Sequence, residues 1–231
     1  VEDSGVIATF ALWYGAFLFS LTCHEAAHAF VAWRGGDDTA YRSGQVTLNP
    51  VPHVLREPLG TVLIPILSFF QFGGMIGWAS APYDPLWEDR HPRRAALMSA
   101  AGPAANLVLA GIAFAVLSWG LSTGIWSTPR LGGLDRLVEV AADASAWKHW
   151  VGQLASVFLS LNVLLALFNA IPCPPLDGAS VVAGLVPALR GPYRSLRGSW
   201  YASIAGFVVA SLAIRTLYGP LLGFIFNRLH E

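Results

Sequence analysis

LGTVLIPILSFFQFGGMIGWASAPYD, residues 59–84, decides the architecture of this chain. Its apolar part, Leu59 to Ala79, is long enough to cross a bilayer, for which about 20 apolar residues suffice. It is also broken by Pro65, Gly73, Gly74 and Gly77, residue types that end helices or turn the chain. If the stretch crosses, every later segment lies on the opposite side of the membrane from where it lies if the stretch enters and returns. The rest of the chain has to choose between these two readings.

That a membrane is involved follows from composition. The chain has 231 residues, 55% hydrophobic and 12% charged, with a mean hydropathy of +0.54. A soluble domain carries about 25% charged residues. The formal net charge is zero, which leaves no footprint for nucleic acid or an acidic partner. Two cysteines, Cys23 and Cys173, make no disulfide framework and read as small packing residues. The first apolar run has no basic flank or small-residue cleavage site, so it reads as a span and not as a leader.

Four further apolar runs stand out: Gly5 to Trp33, Ala95 to Leu121, Trp150 to Ile171, and roughly Trp200 to Phe226. The first three read as spanning helices. The last carries Arg215 and Gly219-Pro220 inside it, which reads as a helix followed by an interfacial helix. Ala179 to Leu189 reads as a short helix, and GQVTLNP (residues 44–50) alternates in strand fashion. No internal repeat and no second soluble domain is visible, so residues 1–231 read as one membrane domain. The expected fold is an all-α membrane protein, a polytopic helical bundle with a re-entrant segment and short strands near its active site.

Within the first run, HEAAH (residues 24–28) places three ionisable groups in an apolar helix. Such groups are expensive in hydrocarbon and mark function by default. Positions i and i+4 share a helical face, so His24 and His28 can hold one zinc ion, with Glu25 beside it as a general base. A catalytic zinc site uses three protein ligands. The remaining candidates are His53, His91, His149, His230 and the carboxylates. Among the carboxylates, Asp177 alone ends an apolar span, in FNAIPCPPLDG (residues 168–178), where three prolines stop the helix. That helix also carries Asn162 and Asn169, seven residues apart on one face. His91, His149 and His230 read as interfacial residues.

Several motifs then agree in order: HEAAH at 24–28, NPVPH at 49–53, GT at 60–61, GWASAP at 77–82, AGPAAN at 101–106 and FNAIPCPPLDG at 168–178. Together they resemble the site-2 protease family of intramembrane zinc metalloproteases, in its short prokaryotic form without an inserted PDZ or other regulatory domain. The resemblance covers nearly the whole chain. It implies one zinc per chain, with His24, His28 and Asp177 as ligands and Glu25 as the base. Asn169 and Asn106 match the family's asparagines. One departure is the link after His53, VLREPLGT, which is longer than the family's pattern. The implied activity is hydrolysis of peptide bonds within or next to transmembrane segments of membrane-protein substrates, in regulated proteolysis or clearance of signal remnants. The competing function is a metal-binding or metal-transport protein using the same three residues. Transporters commonly show paired repeats of broken helices, and the sequence has none.

The implied ligands decide the opening question. His24 and His28 lie near the C-terminal end of the first span, and Asp177 follows the C-terminal end of the Trp150 to Ile171 run. Both ends reach one metal, so both lie on one side of the membrane. This requires residues 59–84 to be re-entrant: a short helix from about Thr61, a turn at Gly73-Gly74, and a return through GWASAPYDP. Irregular backbone is tolerated at that depth where it lines a cavity. The side shared by the site then carries nine arginines, from Arg34 to Arg94 and Arg190 to Arg197, against four basic residues, Arg130, Arg136, Lys148 and Arg228, on the other. The positive-inside rule makes the site side cytoplasmic in a prokaryotic cell membrane.

Within the site, Glu25 and Asn169 are the expected catalytic residues, with Asn169 donating to substrate backbone or a developing oxyanion. Backbone groups of Trp78, Ala79, Ser80 and Ala81 are expected to hold the unwound substrate by edge pairing, with His53 at the mouth and Asn106 nearby. Small residues in AGPAAN allow another helix to approach closely. The expected partners are a transmembrane-helix protein substrate and membrane lipid.

Overall fold

The computed structural model describes residues 2–130, 132–141 and 144–231. Helices account for nearly all of its regular structure. Four are long and apolar enough to cross a membrane: α1 (Glu2–Arg34), α6 (Pro92–Ser122), α7 (Ala146–Asn169) and α10 (Trp200–His230). The short helices are α2 (Thr39–Arg42), α3 (Pro50–Arg56), α4 (Ile64–Phe72), α5 (Pro85–Arg90), α8 (Asp177–Leu185) and α9 (Arg190–Leu196). Local chemistry sets several of their starts. Proline occupies the first turn of α3, α4, α5 and α6, where its missing N–H costs nothing. The carboxamide of Asn49 and the carboxylate of Asp84 accept from the backbone N–H groups of Val51 and Leu86, capping α3 and α5.

α1, α6 and α7 form the centre of the bundle, and apolar clusters fill the spaces between them. Trp13, Phe17, Val157 and Leu161 pack with Phe69 and Met75 between α1, α7 and the 59–84 segment. Leu117, Leu159 and Leu229 meet Trp126 at the opposite end. There the indole of Trp126 lies against Gly120 and Gly152 and donates to the Lys148 carbonyl at 3.0 Å.

Residues 59–84 form a hairpin. A π-helical turn, Leu59–Leu63, leads into α4, which Gly73 closes in the left-handed region (φ 72°). The chain then runs back in extended form to α5. Side-chain contacts fix the path. Tyr14 donates to the Thr61 carbonyl and Phe10 packs on Phe69 on the way out. Trp78 N–H donates to the Gly60 carbonyl at 3.1 Å on the way back. The two ends meet at Ser80, whose hydroxyl donates to Glu57 Oε1 at 2.6 Å and accepts from Arg56 Nε at 3.3 Å. A segment whose ends are tied side by side runs out and comes back. With α3 it is bent by 111°.

Two local expectations change. No strand forms near the hairpin or in GQVTLNP among the described residues. The extended return has no neighbouring strand to pair with, and Thr47 and Asn49 spend their side chains on turn hydrogen bonds. The only β-bridges among the described residues are isolated, Ser127 with Glu139 and Gly133 with Arg136. α10 is one continuous helix through Gly219-Pro220 instead of two, as apolar helices tolerate proline when nearby groups re-satisfy the backbone.

Candidate metal centre

His24 and His28 project from α1 across to the start of α8. Helix α7 ends at Asn169, and the proline-rich stretch that follows is non-helical and carries the chain to Asp177. There Asp177 Oδ2 lies 3.1 Å from His24 Nε2 and 3.3 Å from His28 Nε2, and the two Nε2 atoms are 3.0 Å apart. Three ligand atoms about 2.0–2.2 Å from a zinc ion in tetrahedral arrangement stand about 3.3 Å apart. The triangle therefore has the size of one face of a zinc tetrahedron.

The protons of the two rings support the same reading. His24 Nδ1 faces Asn106 Oδ1 at 2.6 Å, and His28 Nδ1 faces the Met98 carbonyl at 2.7 Å. Both partners are oxygens that only accept, so each neutral ring carries its proton on Nδ1 and presents a bare lone pair at Nε2. Asp177 Oδ2 is buried with no hydrogen-bond donor among the described residues. Three acceptors converging on one point repel unless a cation joins them, and two imidazoles with a carboxylate make a donor set that suits zinc. Gly102 supplies the space. A Cβ on Gly102 would lie within 2.5 Å of His24 Nε2 and closer still to His28 Nε2. The turn before Pro103 is where α6 touches the site, through the Met98 carbonyl and the bare backbone of Gly102.

Glu25 is 4% exposed and has no hydrogen-bond partner among the described residues. Its carboxylate and the ring nitrogens of His24 and His28 lie within 4.8 Å of one another. It opens on a cavity of about 240 Å³, which His28, Asp177, Met98 and Ser99 also line. The extended return forms one wall of this cavity, from Ala79 to Tyr83. No backbone group in that stretch is hydrogen bonded among the described residues. The roof is α9 and the turn after it, through Tyr193, Leu196 and Arg197. Arg197 pairs with Glu88, and Arg194 with Asp89 at 2.7 Å, tying the roof to α5. Burial, with the neighbouring Glu88 carboxylate, raises the Tyr83 phenol well above its ordinary range. Burial also raises that of Tyr193, so both stay neutral at physiological pH.

The sequence candidates are distributed unevenly. His24, Glu25, His28 and Asp177 come together, and Ala79, Ser80 and Ala81 line the same cavity. Trp78 lies just outside it, held to Gly60. Asn106 is fully buried behind His24. Asn169 Nδ2 donates to the Leu165 carbonyl of its own helix. His53 is buried at the foot of α3, with Nε2 donating to the Thr47 carbonyl, and does not line the cavity. His91 and His149 are exposed, and His230 bonds the Phe226 carbonyl at the far end of α10. Motif reasoning did not single out Gly102, Tyr83, Tyr193 or Arg197. AGPAAN signalled small residues around Gly102 without saying what they clear, and nothing in the sequence marked the other three.

The chain is similar in sequence to known proteins. The model of peptidase family M50 matches residues 13–213. The "Putative zinc metalloprotease YwhC" of Bacillus subtilis is 37% identical over 171 residues, 74% of this chain and 67% of that protein. The "Putative zinc metalloprotease Rip2" of Mycobacterium tuberculosis H37Rv is 30% identical over 227 residues, 98% of this chain and 76% of that protein. Its namesake in Mycolicibacterium smegmatis is 33% identical over 181 residues, 77% of this chain but only 58% of that relative's length. No solved structure matches.

Proposed function

Because this chain belongs to peptidase family M50 and is a zinc-dependent metalloprotease of the membrane, we propose that it is an intramembrane endopeptidase, cutting other membrane proteins within or beside a transmembrane segment. The family decides against the metal-transport reading. The observation that carries the proposal is the place of the cavity. His28 and Glu25 on its wall stand inside a helix of spanning length, and an extended stretch of backbone with no hydrogen bond among the described residues forms another wall.

His24, His28 and Asp177 would hold the zinc. When bound, zinc supplies Lewis acidity, lowering the pKa of a water and polarising the scissile carbonyl. Glu25, free of other partners, takes a proton from the attacking water and delivers it to the leaving amine. A helix with its amides bonded internally cannot be cut, so the substrate has to unwind. Its exposed N–H and C=O groups then need partners, at several kcal/mol each in hydrocarbon. Ala79, Ser80, Ala81 and Tyr83 offer free backbone groups in extended form for this purpose. Ser80 spends its side chain on Glu57 and Arg56, which holds the edge in place.

The site lies on the cytoplasmic side in this reading. α1 and α7 run toward it, and α6 and α10 away from it. Arg94 near the start of α6 donates to the Gly35 carbonyl just past the end of α1, and Gly206 near the start of α10 lies against the Pro174 carbonyl. That alternation makes four crossings with the 59–84 hairpin re-entrant, and the arginine excess falls on the side of the site. Lipid covers the outer faces.

The test uses purified protein in liposomes with a transmembrane reporter. Glu25→Gln should cut at least about 100-fold more slowly while keeping its zinc, the loss expected for a general base. Cleavage at the wild-type rate by Glu25→Gln would overturn the proposal.

A further inference from the structure

Behind His24 a line of buried polar side chains crosses three helices. His24 Nδ1 meets Asn106 Oδ1 at 2.6 Å, and Asn106 Nδ2 donates to Asn162 Oδ1 at 2.8 Å. Asn162 Nδ2 donates both to Ser20 Oγ and to the backbone carbonyl of Phe158, each at 2.9 Å. Asn106, Asn162 and Ser20 are all 0% exposed. So much buried amide is more than helix packing asks for, and the direction of the line has a consequence.

The Phe158 carbonyl can only accept. It therefore fixes which end of the Asn162 carboxamide faces it, the NH2 end. That leaves Asn162 Oδ1 toward Asn106, which in turn must present Nδ2 to Asn162 and Oδ1 to His24. The last link obliges His24 to carry its proton on Nδ1. With every link reversed, Asn162 Oδ1 would face the Phe158 carbonyl, oxygen against oxygen. His24 would then accept at Nδ1 and point an N–H from Nε2 at His28 and Asp177. A ring in that state binds no cation. His28 needs no such arrangement, since the Met98 carbonyl sets its tautomer directly.

We infer that Asn106 and Asn162 are positioning residues, a two-amide relay that transmits the polarity of the Phe158 carbonyl to His24 and holds its Nε2 lone pair ready for zinc. This rests on the reading of His24 as a zinc ligand. Outer partners of ligating histidines commonly carry 10–100-fold in metal affinity. Asn106→Leu removes the acceptor and should weaken zinc binding by about that factor, measured by chelator competition in detergent. Asn162→Leu should weaken it too, although it touches neither zinc nor His24. Asn106→Asp sets a second oxygen against Asn162 Oδ1, at a cost in stability, but keeps an acceptor on His24 Nδ1 and should hold zinc within a few-fold of wild type, a rescue that a merely structural role does not give. Wild-type zinc affinity in Asn106→Leu and Asn162→Leu, with His24→Gln losing the metal, would overturn the relay and leave the ligand assignment intact. Zinc retained in full by His24→Gln would instead overturn the assignment, and the relay with it. A measurement on unaltered protein guards against variants that fail to fold. In zinc-free wild-type protein labelled with ¹⁵N-histidine, the signal that disappears in His24→Gln should show Nδ1 protonated, and an Nε2–H tautomer there would overturn the relay.

Discussion

A methyl group at position 102 tests the metal centre at the scale of one residue. Gly102 is in the interior of α6, where glycine costs about 1 kcal/mol of helix stability against alanine. Gly102→Ala should therefore leave the helix at least as stable, yet the added carbon would lie where the two Nε2 lone pairs converge. We expect zinc content measured by elemental analysis to collapse while circular dichroism shows the helices intact, the displaced imidazoles costing about 1–3 kcal/mol of stability at most. Full zinc occupancy in this variant would show that the metal does not sit on the face of the site that Gly102 covers. The residues that converge at the site were readable because their signals are local. Two histidines four apart share a helical face wherever the helix goes, and a carboxylate after three prolines is aimed by covalent geometry. Gly102 was not readable, because what it clears lies 74 and 78 residues away in sequence, at His28 and His24. Asn162 was noted for its place on a helix face, but its contact with Asn106 exists only once α6 and α7 are packed.

Among the elements, the 59–84 hairpin carries the account. Its outward helix is short, its turn needs the left-handed conformation that Gly73 supplies, and Pro82 keeps Ala81 before it out of the helical region on the return. Ala79→Pro and Ala81→Pro each delete one free N–H on the cavity wall without breaking an internal hydrogen bond. Whichever of the two donates to substrate should lose cleavage of a transmembrane reporter by about tenfold or more, the worth of one charge-free hydrogen bond to an otherwise unpaired group, with zinc retained. Full activity in both variants would place the bound substrate elsewhere. The hairpin was legible from its glycines and proline together with the demand that both ligand-bearing ends meet. The strands expected beside it were not there to be found, since an extended sequence pattern becomes a strand only with a neighbour. Asn169 shows the same limit, because a polar residue on an apolar helix can always turn back to its own backbone, here the Leu165 carbonyl.

For the whole molecule, the site, the hairpin's open end and the arginine-rich segments should share one side of the membrane. Cysteines replacing Arg93 and Arg194 should react with an impermeant reagent from the cytoplasmic face, and one replacing Arg136 from the other. Labelling at Arg93 and Arg194 from the face opposite to a cysteine replacing Arg42, which precedes the hairpin, would force residues 59–84 to cross, against the tie between Ser80 and Glu57. The order of motifs made the overall class readable, because composition sets the solvent and each motif sets its own element. The continuity of α10 and the roof built from α9 depend on packing partners distant in sequence and left no such trace. The central claim is that one zinc ion is bound by His24, His28 and Asp177, and X-ray absorption at the zinc edge of the purified protein tests it most directly. The account predicts two imidazole rings and a light oxygen shell about 2.0–2.2 Å from the metal. A sulfur shell at about 2.3 Å, which would bring in Cys23, or a third imidazole, which would bring in His53, would contradict it.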